Sequence, residues 1–145
     1  MHQIHKMGRL LTSACLLLSA CSTISKFDQY SYSQATSIKV DALNVMALAT
    51  DPYAQHTAEV GKVKTEIDKI YEYEKNRPKN TITEKMWVVL KDSSGHLFGG
   101  FVTRWQKEGK LDAVFIKEAQ NLVGESFDQI AQLESGKIKS TQVTN

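Results

Sequence analysis

The chain has 145 residues, with 18 basic and 16 acidic side chains, a formal net charge of +2 and two cysteines. That length supports one domain with a core of its own but not comfortably two. So even a balance of charge supplies neither a basic face for nucleic acid nor an acidic tail.

The first stretch that carries information is Leu10 to Cys21, an apolar run preceded by Lys6 and Arg9. It is as long as a secretory h-region and well short of the ~20 apolar residues a membrane-spanning helix needs. The run is therefore expected to be a signal peptide over residues 1–20. Its end, Leu18-Ser19-Ala20-Cys21, resembles the lipobox of bacterial lipoproteins. The resemblance implies cleavage before Cys21 and acylation of that cysteine, with palmitate among its chains. It also implies a cell-envelope address and the lipid bilayer as a partner. Ser22, where an aspartate would retain the protein at the inner membrane in the Gram-negative sorting pattern, implies the outer membrane. Membrane and face stay open where other sorting rules apply.

Removing residues 1–20 takes Lys6 and Arg9 with it, so 16 basic residues face 16 acidic ones in the remaining 125. Cys15 leaves too and Cys21 is acylated, so the rest of the chain has no free thiol and must be held by core packing. Residues 21–26 form a lipidated tether, residues 27–136 the folded domain and residues 137–145 a polar, flexible tail. At ~3.5 Å per residue, Ser22 to Lys26 reaches less than about 20 Å.

From Phe27 to Thr50 the spacing predicts an amphipathic helix with Phe27, Tyr30, Ile38, Ala42, Val45 and Ala49 in one arc and Ala35 and Leu48 at its margins. Asp51-Pro52 marks a boundary, with Asp51 as cap and Pro52 at the first helical position. The second helix runs to Asn76, because Arg77 precedes Pro78 and is disfavoured in the helical region. Its seam is Val60, Val63, Ile67 and Ile70. The short connection makes the two helices an antiparallel hairpin.

Thr81 and Glu84 spell a capping box that starts a short third helix through Met86, Trp87 and Leu90. Residues 86–103 also fit a β-hairpin, with Asp92 to Gly95 as its turn, and that alternative stays open. Gly109 caps the next helix. A last helix spans Leu111 to Ser135, with Ile116, Ala119, Val123, Ile130 and Leu133 as its seam and Phe115, Leu122 and Phe127 widening it; Gly136 closes it. The predicted fold is an all-α bundle: a helical hairpin, a long C-terminal helix and one or two short helices between.

Chemistry is sparse. His56 and Glu59 have metal-pair spacing on a helix, but a dinuclear bundle site needs a second such pair and further carboxylates. None is evident, so neither a metal nor another cofactor is expected, and no catalytic residue is identified. Tyr71 and Tyr73 cover the end of the core or face a partner. Gly99-Gly100 needs a physical reason, since each glycine costs a helix ~1 kcal/mol relative to alanine. Tight packing on the hairpin, with Trp87 and Trp105 as core aromatics, is one reason. A partner-binding groove of Gly99, Gly100, Arg104 and Trp105 is the other, because Arg and Trp concentrate binding energy at interfaces. The functional expectation is a non-catalytic, membrane-anchored interaction or adaptor module with an envelope protein as partner. A structural surface lipoprotein, or an inhibitor of a toxin, phage or conjugation component, is the alternative. Oligomeric state is not legible.

Overall fold

A computed structural model describes residues 27–143, and Cys21 and the segments before it lie outside the described residues. Among the described residues the fold is all-α: α1 (Gln29–Ala47), α2 (Thr57–Lys75), α3 (Thr81–Lys91), α4 (Phe98–Glu108) and α5 (Ala113–Glu134), with no strand. Short 3-10 turns occupy Leu48–Thr50, Tyr53–Gln55 and Ser140–Gln142.

α1 is the central helix. Its inward stripe is Ser31, Ala35, Ile38, Ala42, Val45 and Met46, continued by Ala49, at three- and four-residue steps. α2 lies antiparallel to it: Tyr30 meets Tyr73 near one end, and Lys62 pairs with Asp41 at 3.8 Å further along. α5 is antiparallel on the other flank, where Lys39 pairs with Asp128 at 2.6 Å and the Gln120 amide donates to the Leu43 carbonyl at 2.8 Å. Gly124 of α5 faces the Lys39 and Leu43 side chains, and an added Cβ there would meet them at ordinary contact distance. α3 returns along α2 and α5, and α4 closes the end where α1 stops. There the Leu111 amide donates to the Ala49 carbonyl and the Tyr53 amide to the Gly109 carbonyl, both at 2.8 Å.

The α2 seam of Val60, Val63, Ile67 and Ile70 is buried as the spacing predicts. In α5, Ile116, Ala119, Val123, Phe127, Ile130 and Leu133 are buried, but Leu122 is 52% exposed. It sits one residue before Val123, off the inward arc. The β-hairpin alternative at residues 86–103 is overturned, because that stretch holds the end of α3, a turn and the start of α4. Trp87 and Leu90 face inward three residues apart while Val88 and Val89 are exposed, a helical period and not an alternating one.

Three boundaries also differ. Asp28 is the N-cap of α1, its Oδ1 accepting the Ser31 amide at 2.9 Å, so Phe27 precedes the helix and is 60% exposed. Tyr30 is 50% exposed, because the stripe stepped back from Ile38 and Ala35 lands on Ser31. Pro52 does not open α2: its backbone is extended, a 3-10 turn follows, and His56 is the residue before the helix. Thr81 is the first residue of α3 and Asn80 its N-cap, although the Asn80 side chain makes no capping bond.

Candidate functional site

The densest polar chemistry lies at the end of the bundle where α1 begins and α2 and α5 finish. α2 stops at Lys75, and Lys79 takes a φ of 60°, so the chain turns back sharply ahead of α3. Arg77, in that turn, donates from Nη1 to Glu74 Oε2 at 2.7 Å, Glu134 Oε2 at 2.8 Å and Ser31 Oγ at 3.0 Å. Its Nε lies 3.7 Å from Asp28 Oδ2, which also accepts the Tyr73 hydroxyl at 2.8 Å. Asn80 turns its amide inward to the Glu74 carbonyl at 3.0 Å and to Glu74 Oε2, which is why it does not cap α3. The Thr83 hydroxyl donates to Glu134 Oε1 at 2.8 Å.

One guanidinium thus serves two buried carboxylates, with Asp28 at the rim. Burial pushes the Glu134 carboxyl above its usual range, and the bonds from Arg77 and Thr83 offset this only in part. For Arg77 burial acts downward, but the bonds to Glu134 and Glu74 outweigh it and the guanidinium holds its proton more firmly. Burial acts upward on Asp28, yet the Ser31 amide, the Tyr73 hydroxyl and Arg77 together hold it below the usual carboxylate range. The cluster ties four segments at one end of the bundle. The donors described there bond to groups of the cluster itself, which ties these segments together.

The sequence-predicted residues Gly99, Gly100, Arg104 and Trp105 share α4 but do not form one surface. Trp105 is 0% exposed; its indole N–H donates to the Asp51 carbonyl at 3.0 Å, and Tyr53, His56 and Phe101 surround its ring. It is a core residue and no platform for a partner. The glycines pack on the α3–α4 turn, not on the helical hairpin. A Cβ at Gly99 would overlap the Lys91 and Asp92 carbonyls, and one at Gly100 the Gly95 carbonyl. Arg104 is at the surface, held by Glu108 at 2.9 Å and stacked 4.0 Å over the Phe115 ring.

His56 sits between Asp51 at 3.7 Å and Glu59 at 3.6 Å, its ring nitrogens buried and without a hydrogen-bond partner among the described residues. Among those residues no group of three or more His, Cys, Asp or Glu side chains is placed to hold a metal ion. None of the described helices is long and apolar enough to cross a membrane.

A concave surface lies elsewhere among the described residues. A groove of about 650 Å³ runs between α3 and α5, with Ile82, Met86, Val89, Leu97 and Leu122 as its apolar lining and Lys85 and Glu125 as charges. Val143, after the last 3-10 turn, also lines it. The sequence signal for this groove was present in Val89 and Leu122, large apolar residues that fall off the inward stripes of their helices.

Compared with protein-family models, with curated proteins and with solved structures, the chain finds no match.

Proposed function

We propose that this chain is an exported lipoprotein, acylated at Cys21, whose helical domain is a non-catalytic interaction module at the bacterial cell envelope, with the outer membrane as its site. The observation that carries the reading is the adjacency of Leu18-Ser19-Ala20-Cys21 to a self-contained bundle, with only residues 21–26 between Ala20 and Phe27. An anchor of two or more acyl chains holds firmly where one alone is marginal. Confinement to a surface raises the effective concentration of a weak binding site.

The α3–α5 groove supports the interaction half of the reading, since binding sites are typically concave and mostly apolar with a few polar groups. Support for a non-catalytic role comes from how the ionisable groups are used. Glu74 and Glu134 are committed to Arg77, and the His56 ring is shielded beside Trp105.

A photo-crosslinking residue placed at Leu122 in the acylated protein tests the module directly. A single defined adduct with an envelope protein is expected, lost when Val89→Glu puts a charge in the groove and absent from the same residue placed at exposed Gln55. No adduct, or equal adducts at both positions, contradicts it.

A further inference from the structure

The Arg77 cluster fixes which residues share the end of the bundle where the tether enters. Phe27 and Tyr30 are there, more than half and half exposed, and the Tyr30 ring meets that of Tyr73 edge-on at 4.9 Å. Tyr73 is itself 39% exposed, with its hydroxyl bonded to Asp28. The segments leaving α2 and α5 at this end carry Lys75, Lys79, Lys137 and Lys139, all exposed. Exposed acid is scarce beside them: Glu72 is 3.6 Å from Lys75, Asp28 and Glu84 are half-buried, with Asp28 bonded to Tyr73 and facing Arg77, and Glu74 and Glu134 lie inside on Arg77. The opposite end mixes signs, with Asp51, Glu59, Glu108 and Asp112 exposed alongside Arg104, Lys107 and Lys110.

We infer that this end is a lipid-docking face, which sets Phe27, Tyr30 and Tyr73 among the headgroups of an anionic bilayer and the surrounding lysines on their phosphates, so that the bundle stands upright on the membrane. The inference rests on the lipoprotein reading. Ser22 to Lys26 spans less than about 20 Å, whereas the 19 residues of α1 are about 28 Å long. The tether therefore holds this end, and not the far one, against the bilayer. It leaves no gap wide enough for another folded domain. Aromatic side chains with a polar edge settle at the headgroup layer, and each basic residue near an anionic surface favours the bound state by about fivefold. Upright docking turns the α3–α5 groove sideways, where a neighbouring envelope protein meets it without displacing lipid.

The mature chain's only cysteine is expected to be acylated, so an introduced thiol is a unique labelling site. Spin labels at Thr81→Cys, beside the docking face, and at Gln55→Cys, at the far end, report accessibility to a water-soluble paramagnetic quencher. The acylated full chain is reconstituted into vesicles of phosphatidylcholine with phosphatidylglycerol, and its intact mass is measured on the same sample. Position 81 is expected to be protected and position 55 open, with the protection weakened in phosphatidylcholine alone. Lys137→Gln with Lys139→Gln should lower the docked-to-undocked ratio by about 25-fold, two residues at about fivefold each. Phe27→Ser, at a residue that is 60% exposed and lies ahead of the helix, should weaken it without lowering thermal stability. A sample lacking acyl mass overturns the lipoprotein reading and this inference with it. An acylated sample with equal accessibility at the two positions, or with position 81 protected only after envelope proteins are added, overturns the docking face alone.

Discussion

Arg77, in the turn after α2, reaches Glu134 at the end of α5 across 57 residues of sequence, with 2.8 Å between Nη1 and Oε2. The same nitrogen holds Glu74 at 2.7 Å, so a single cation closes the end of the bundle at which the tether arrives. Arg77→Ala leaves two buried carboxylates without their cation, and breaking a buried pair in this way costs about 3 to 5 kcal/mol. Urea denaturation at neutral pH should show a loss of that size, reduced at acidic pH where Glu134, its carboxyl raised by burial, takes up a proton. A loss below about 1 kcal/mol, the range of exposed pairs, would place the cluster in solvent.

The Glu134 carboxyl, raised by burial above its ordinary 4.5, gives stability a pH dependence of definite sign. A carboxyl that binds its proton more tightly when folded contributes fully below pH 4.5 and loses that contribution as pH rises through the folded value. Glu134→Gln keeps an oxygen for Arg77 and offers an amide to Thr83 while removing the titration. Measured from about pH 4 to about pH 8, wild type should fall relative to this variant as pH rises. Asp28, held below 3.8 on balance, has the opposite sign. Its contribution is present above 3.8 and lost as pH falls through the folded value, so the gap between wild type and Asp28→Asn should close in acid. A gap that stays constant in either series contradicts the corresponding assignment.

Two glycines should respond in opposite directions to alanine. Gly61 lies on the exposed face of α2, where an added methyl group would meet nothing within 4 Å, so Gly61→Ala should stabilise by about 0.5 to 1 kcal/mol through helix propensity alone. Gly100→Ala must push the α3–α4 turn away from α4, because the added carbon overlaps the Gly95 carbonyl, and should cost about 1 to 3 kcal/mol. Thermal denaturation of the pair decides the matter, and a neutral Gly100→Ala would contradict the close approach.

Trp105 and Arg104 are neighbours in sequence with unlike roles. Trp105→Ala empties a fully buried site and orphans the Asp51 carbonyl, at a cost of about 3 to 5 kcal/mol. Arg104→Ala removes an exposed pair with Glu108 and should change stability by less than about 1 kcal/mol. Chemical denaturation of the two variants separates the core role from the surface one; equal effects would contradict the division.

The hydrophobic framework was legible because it obeys helical spacing. Val60, Val63, Ile67 and Ile70 in α2, and Ile116, Ala119 and Val123 in α5, lie inside where their periodicity puts them. Gly109 and Gly136 end their segments with positive φ, as glycines placed just after helices do. The cluster was illegible for the converse reason. Nothing in the letters of Glu74 and Glu134 marks them as interior, and only the return of α3 and α5 to the same end brings them the charge of Arg77 and the hydrogen bonds of Asn80 and Thr83. Phe27 and Tyr30 failed in the other direction: apolar letters at the head of a helix have no partner helix extending past them. The Gly99-Gly100 pair signalled a close approach, but its partner was the preceding turn, which spacing along one helix does not encode.

Cys21 carries the proposed anchoring, and the mass of the mature N-terminus tests it most directly. Protein extracted from the membrane fraction and measured intact should begin at Cys21 and carry acyl chains, while Cys21→Ser should accumulate as unacylated precursor or release an unanchored domain. A membrane-bound chain that retains residues 1–20 without acyl mass, or that stays attached unchanged after Cys21→Ser, would contradict it.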